Sequence, residues 1–259
     1  MPGFSVVHTS FLMQHVELGK TSHHPQGYFE LDGVSRVDEV NRVMIRDRIP
    51  DGLTRRAQYF VRIHGYRIPD PGVEQHRAQW LEHGIPSAEI DRTVAYQEMW
   101  GGIALPPSPH YDGGPSSFSA DVPEGSEAEG WWFGAGLQRT ALPYAFMIGP
   151  EGEFGIHAGT WVPLHGSIEG WVESVALADH ARRCARATTT VTGEAVEALQ
   201  LDGFEPVLEV AGRSDTWWRG ADSLVAVYRA EAECMSAPQC RTATVYSGLD
   251  EWGLKGLGT

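Results

Sequence analysis

The 259-residue sequence predicts an α+β protein: a mixed or antiparallel sheet backed by helices, with a further small antiparallel sheet near the C-terminal end. Three observations carry this. Apolar residues recur at helical spacing in EQHRAQWLEHG, AEIDRTVAYQEMW and SIEGWVESVALADHARRCA. Two strand-like segments, YAFMIG and EFGIHAG, flank the turn Pro150-Glu151-Gly152. β-Branched, alternating segments then fill the last third, in PVLEVAG, DSLVAVYRAEAE and RTATVYSG, and read as a hairpin-connected sheet. Hydrophobic residues are 42% and charged residues 21%, so the chain has the composition of a globular protein with a sizeable core.

Taken in order, residues 1 to about 33 begin apolar, and FSVVHTSFLM reads as a strand or an ordered arm. His23 and His24 are adjacent and cannot share a helix face, which favours a solvated loop over a metal site. Residues 34 to 66 read as helical. Val37, Val40, Met44 and Ile45 form one apolar set. After Pro50-Asp51-Gly52, a second set runs through Leu53, Ala57, Phe60, Val61 and His64 to Gly65. The arginines at 36, 42, 46, 48, 55, 56 and 62 fall mainly on outer faces and make the basic zone of the chain.

Beyond RIPDPG, a short helix turns Trp80 and Leu81 inward and stops at Gly84. Ser87 is the expected cap of the next helix, whose stripe takes Ile90, Val94 and Met99 with Tyr96 and Trp100 beside it. That helix ends at Gly101-Gly102, and the prolines make Ile103 to Pro109 extended. Residues 110 to 136 read as a long acidic loop, of the kind uncommon in compact domains unless it binds something. Within it, His110-Tyr111-Asp112 beside Gly113-Gly114 reads as turn chemistry, with Asp112 accepting from its own backbone. A set of acid–base groups is the alternative.

TWVPL extends the hairpin or starts a third strand, with Pro163 marking an edge or a strand end. Ser167 caps the strongest helix, with Ile168, Trp171, Val172, Val175 and Leu177/Ala178 as its apolar stripe. Glu169 and Glu173 lie early in it and Arg182, Arg183 and Arg186 late, complementing the helix dipole. His180 reads as a packed histidine. TTTVTG is a polar linker, EAVEALQLDG a short helix or strand with a turn, and LDEWGLKGLGT a peripheral end. The domains expected are an N-terminal helical extension over 1–75, an α+β core over 76–187 and a β-rich extension over 188–259 that packs on it.

Charge and motifs narrow the function. Lysine plus arginine is 20 against 34 acidic residues, a formal charge of -14, which disfavours nucleic acid and suits a basic partner. Lys20 and Lys255 are the lysines. No stretch reaches the roughly 18 apolar residues of a membrane span. The first twenty residues lack a basic segment and a small-residue cleavage site. Cys184, Cys234 and Cys240 have no metal spacing and read as buried thiols of a reducing compartment, so a cytoplasmic protein is expected. No cofactor or metal is expected. There is no Walker loop, no dinucleotide fingerprint, no H-E-x-x-H and no nucleophile elbow. His180 and Cys184, four apart, are core before they are a catalytic pair.

Two aromatic clusters remain: Gly130-Trp131-Trp132-Phe133 and Asp215-Thr216-Trp217-Trp218-Arg219. In an extended chain neighbouring side chains face opposite ways, so each pair can keep one indole in the core and offer the other. The candidate partner- or ligand-binding residues are therefore Asp112, Glu127, Glu129, Trp131, Trp132, His157, Trp161, Trp217, Trp218 and Arg219.

AYQEMWGGIALPP resembles the aromatic helix end, followed by Gly-Gly and an aliphatic residue, of the SUKH superfamily. That superfamily contains the yeast cell-wall-assembly regulators and many bacterial toxin-immunity proteins. MIGPEGEFGIHAGTWVPLHGSIEGWVESVAL is similar to the hairpin and Ser-capped helix of the same family, and the resemblance covers roughly residues 76 to 181. The tail resembles material of actinobacterial proteins of this type. The resemblance implies an α+β fold with Gly101-Gly102 in a structural role. It also implies binding to a partner protein, a basic toxin among the candidates, in an immunity or regulatory role. The alternative is an enzyme of bacterial secondary metabolism, with a small molecule in an aromatic-lined pocket joining the Tyr111–Asp112 loop, the second Trp cluster and His157.

Overall fold

The computed structural model describes residues 43–45, 49–210 and 212–256. The N-terminal arm, His23, His24 and the helical reading of residues 34–42, with the arginines at 36, 42, 46 and 48, lie outside them. Where the second apolar set predicts a helix, α1 spans Arg55–His64, with Thr54 accepting from Ala57 N–H at its start and Gly65 closing it. The reading fails just before it. β1 (Val43–Met44) is a strand, antiparallel to β2 (Tyr66–Arg67), and Ile45 is buried in the core. Arg56 also departs from expectation. It is buried, because Glu173 supplies the counter-charge that lets a guanidinium leave water.

α2 (Arg77–Glu82) buries Trp80 but leaves Leu81 exposed, and Gly84 ends the turn at φ +82°. α3 (Ser87–Trp100) starts one residue earlier than expected. Pro86 holds the cap position, and the Ser87 side chain makes no capping bond. Its buried stripe is Ile90, Thr93, Gln97 and Trp100 with Tyr96, while Met99 is exposed. Gly102, at φ +75°, then turns the chain into β3 (Ile103–Ala104), which pairs with β2.

The segment read as a long loop is a set of short strands: β4 (Pro115–Phe118), β5 (Glu124–Ser126), β6 (Gly130–Gly134) and β7 (Gly136–Gln138). Glycine masks them in the sequence. Gly125 and Gly136 sit at φ +146° and +156°, and a Cβ on either would strike a facing carbonyl within 2.3 Å. The hairpin of β8 (Ala145–Ile148) and β9 (Phe154–His157) forms as read, and β10 (Trp161–His165) is the third strand. The sheet order is β10-β9-β8-β6-β5, so Pro163 lies in an edge strand, at a register shift.

α4 (Ile168–Cys184), capped by Ser167, runs through the middle of the molecule. Every residue from Trp171 to Ala178 is buried, so it is a core helix rather than an amphipathic one. Trp171 packs on Phe146 and Phe154 of the first sheet, Ser174 accepts from Trp217 Nε1 of the second, and Glu173 faces Arg56. Arg186 falls beyond its end.

The polar linker is β11 (Ala187–Thr192), the edge strand of a second antiparallel sheet. Its other strands are β12 (Glu205–Pro206), β13 (Thr216–Arg219), β14 (Ser223–Tyr228) and β15 (Thr242–Ser247), in the order β11-β15-β14-β13-β12. PVLEVAG contributes only Pro206 to a strand and turns helical at Leu208–Val210. RAEAE forms the short α5 (Ala230–Cys234). The last element, α6 (Glu251–Lys255), buries Leu254 and Gly253. One hydrophobic cluster runs from Ile45 through Trp171 and Trp217 to Leu254, drawing on all three sequence segments. Smaller ones sit around Trp80 and Ile90, and around Val196 and Val225.

Candidate functional site

The first tryptophan pair and the acidic run share one hairpin. β5 and β6 pair with Glu124 opposite Trp132 and Gly125 opposite Trp131. Asp121, Glu124, Glu127 and Glu129 are all exposed, and none has an ion-pair partner among the described residues. Trp131 and Trp132 are both half-buried. Trp131 packs against the Trp80–Ile90 cluster under α2 and α3. Alternation along the strand puts Trp132 on the other face, the face of Glu124.

Arg92 fixes this hairpin to the body. From α3 its guanidinium donates to Trp131 O and to Gly149 O, each at 2.7 Å, while Glu89 holds its Nε at 2.9 Å. It also lies over the Phe133 ring, 5.1 Å from the centroid. One arginine thus ties β6 and the β8–β9 turn to the same helix. Of the carboxylates, Glu124 lies on β5, Glu127 and Glu129 lie in the turn that joins β5 to β6, and Asp121 lies just before β5.

The remaining predicted residues are dispersed. His157 is exposed at the end of β9, directly opposite Trp161. The Trp161 indole lies back across the hairpin, where a Cβ on Gly155 or Gly149 would come within 2.6 and 2.8 Å of it. Trp217 is 1% exposed, stacked on Tyr246 with its N–H bonded to Ser174. It is a core residue that no partner can reach, which corrects its place among the binding candidates. Trp218 is half-buried on the opposite face of that sheet, over the Val196–Val225 cluster. Arg219 is tied to Glu209 and to Leu254 O. Trp132 on β6 and the Trp218–Arg219 pair on β13 belong to different sheets.

Asp112 is exposed, and its backbone is the unusual part. Tyr111, Asp112, Gly113 and Gly114 follow one another at φ +57°, +46°, +91° and +72°. Two consecutive non-glycine residues in the left-handed region store strain that the surroundings must hold. The holding group is Asp215, which the sequence shows at the head of the second aromatic cluster without disclosing its burial or its partner Tyr111. Asp215 is fully buried and accepts from the Tyr111 hydroxyl at 2.7 Å and from Arg229 N–H at 3.3 Å. Burial raises its carboxyl to about 7, against the pull of these donors. Tyr111 sits edge-on to Trp171 and Tyr228, and His110 stacks on Tyr228 at 3.7 Å while facing Thr244 Oγ1 at 3.1 Å. Burial lowers His110 to about 4. This cluster is packed solid, with about 10 Å³ of free space beside His110, Glu231 and Cys240. It is a latch on a strained loop.

Other buried polar groups are also structural. Glu173 accepts from Thr54 N–H at 2.5 Å, Thr54 Oγ1 at 2.8 Å and Arg56 at 3.3 Å, tying α1 to α4. Desolvation lowers the Arg56 guanidinium, and Glu173 and Glu209 oppose that. His180 Nε2 stands 3.8 Å from Cys184 Sγ and 3.0 Å from Trp252 O. Burial pushes the Cys184 thiol up, away from the reactive thiolate.

Two clefts are lined by described residues alone. One of about 270 Å³ lies between Phe60, Pro106, Pro107 and Val175, and one of about 300 Å³ runs past Asp70, Val73 and Gln97. Neither is lined by Asp112, His157 or Trp218. Among the described residues no group of three or more His, Cys, Asp or Glu is placed to hold a metal ion. None of the described helices is long and apolar enough to cross a membrane. In comparisons with known proteins, no family model, no curated protein and no solved structure matches the chain.

Proposed function

We propose that this protein is a binding module that engages a basic partner protein through the β5–β6 hairpin, in an immunity or regulatory role. The observation that carries it is the set of exposed carboxylates at Asp121, Glu124, Glu127 and Glu129, without ion-pair partners among the described residues, on and beside a hairpin whose second strand Arg92 anchors. At physiological ionic strength their field reaches about 8 Å. They therefore steer encounter, while the apolar face of Trp132 supplies contact area once docked. The SUKH-like reading of residues 76 to 181 belongs to the same proposal. Its support is the order α3, Gly101-Gly102, short strands, the β8–β9 hairpin and the Ser-capped α4.

The test is affinity capture from cell extract with the wild-type protein and with Glu127→Lys/Glu129→Lys, read by quantitative mass spectrometry. A basic protein retained by the wild type and lost by the variant supports the proposal. An identical set of retained proteins for both contradicts it.

A further inference from the structure

We infer that two copies of this chain pair through the outer edge of β11, antiparallel about a two-fold axis at Thr190. β15 occupies one side of β11, from Arg186, whose N–H bonds Ser247 O, to Gly193, whose N–H bonds Arg241 O. In the second sheet β11 is the terminal strand. Its residues Ala187, Thr188, Thr189, Thr190 and Thr192 are exposed.

An open edge is a template for another strand, and proteins that must remain monomeric blunt such edges with lysine, proline, inward charge or a covering element. Within ATTTVT β11 has no lysine, proline or charge, and among the described residues no strand pairs with its outer edge; its threonines are strand formers whose side chains pair across antiparallel strands.

The register follows from the ladder. Gly193 bonds the residue directly opposite it, so residues in step with it turn their backbone groups toward β15 and Thr188, Thr190 and Thr192 turn theirs outward; the Arg186 N–H, out of step, breaks this alternation just before the strand. Pairing Thr190 with Thr190 of the second copy sets Thr188 against Thr192 on both sides of the axis. All three outward residues then exchange both backbone bonds.

The same pairing brings opposite charges to each end of the paired strands. Arg186 stands at one end of β11 and Glu194 just past the other. Both are exposed, and neither has an ion-pair partner among the described residues. Antiparallel pairing about Thr190 carries Arg186 of each copy to the end where Glu194 of the other emerges. The occupant that fits is therefore a second copy. An arbitrary extended peptide would have to reproduce a cation and an anion at that spacing. The formal charge of -14 on each copy opposes association, but repulsion beyond about 8 Å is screened at physiological salt and the two contact ends attract.

Sedimentation velocity of the full chain at physiological salt, over a range of concentrations, tests this. The wild type is expected to form a dimer. Thr190→Pro removes only an outward N–H, so the monomer ladder survives, and the dissociation constant rises by about tenfold or more. Arg186→Glu and Glu194→Arg each weaken the dimer by about threefold, and the double swap restores it. A wild type that stays monomeric overturns the inference, even if it binds extended peptides from other proteins. So does a dimer indifferent to Thr190→Pro and to the single reversals, or single reversals that the double swap fails to rescue.

Discussion

His165, at the end of β10, is fully buried against Trp171 with no hydrogen-bond partner on either ring nitrogen. Burial lowers its pKa to about 3. The folded state therefore keeps the ring neutral while the unfolded chain takes up a proton near pH 6.5. Stability contributed by this residue is present above pH 6.5 and is lost as pH falls toward 3. By pH 5 the loss is about 2 kcal/mol, and His165→Leu abolishes it; chemical denaturation at pH 7 and pH 5 reads the difference. An unchanged acid slope in that variant would show that water or another group pairs the ring. Asp215 acts with the opposite sign. Its folded pKa of about 7 lies above the unfolded value of 3.8, so the folded state holds a proton the unfolded chain has released. Stability present at pH 4 is lost as pH rises through 7, by about 3 kcal/mol between pH 5 and pH 8. Asp215→Asn still accepts from Tyr111 and is expected to flatten that slope. The two residues oppose each other between pH 4 and 6.5, and the single variants separate them.

At the scale of elements, the strained turn before β4 rests on a close fit. Gly114 is at φ +72°, and a Cβ there would lie 2.7 Å from Trp171 Cζ2. Gly114→Ala is predicted to cost about 3 kcal/mol, from left-handed strain plus overpacking against a core indole; thermal unfolding checks this. If stability is unchanged, the loop relaxes and the latch account fails. This region also shows what the sequence could and could not tell. α1, α2, α3, α4 and the β8–β9 hairpin were legible because their apolar spacing or turn chemistry is local. Strands β4 to β7 were not, since glycine, serine and acids form strands there through contacts made elsewhere in the chain. β11 was hidden for a related reason: a run of threonines is polar by composition and strand-forming by shape. The acids and the Trp131–Trp132 pair were recognised as a candidate surface, though as a loop and not as a clamped hairpin. Arg92, Asp215 and His165 carried no sequence signal, because an isolated polar residue discloses neither its burial nor its partners.

For the whole molecule, the formal charge of -14 and the position of the hairpin are what the proposed function draws on. α4 packs on both sheets, and the buried polar contacts of Arg56 with Glu173 and of Tyr111 with Asp215 hold that core. On the first sheet the β5–β6 hairpin offers exposed acids on and beside it, with the half-buried Trp132 on the face of Glu124. An electrostatically steered interface of this kind depends on salt in its association rate and on packing in its dissociation rate. The most direct measurement is the association rate constant for the captured basic partner, as a function of ionic strength, for wild type, Glu127→Lys/Glu129→Lys and Trp132→Ala. The account predicts that association slows with salt and slows about tenfold in the charge-reversed protein, while Trp132→Ala chiefly speeds dissociation. Association rates that coincide for wild type and charge-reversed protein at every ionic strength would contradict it.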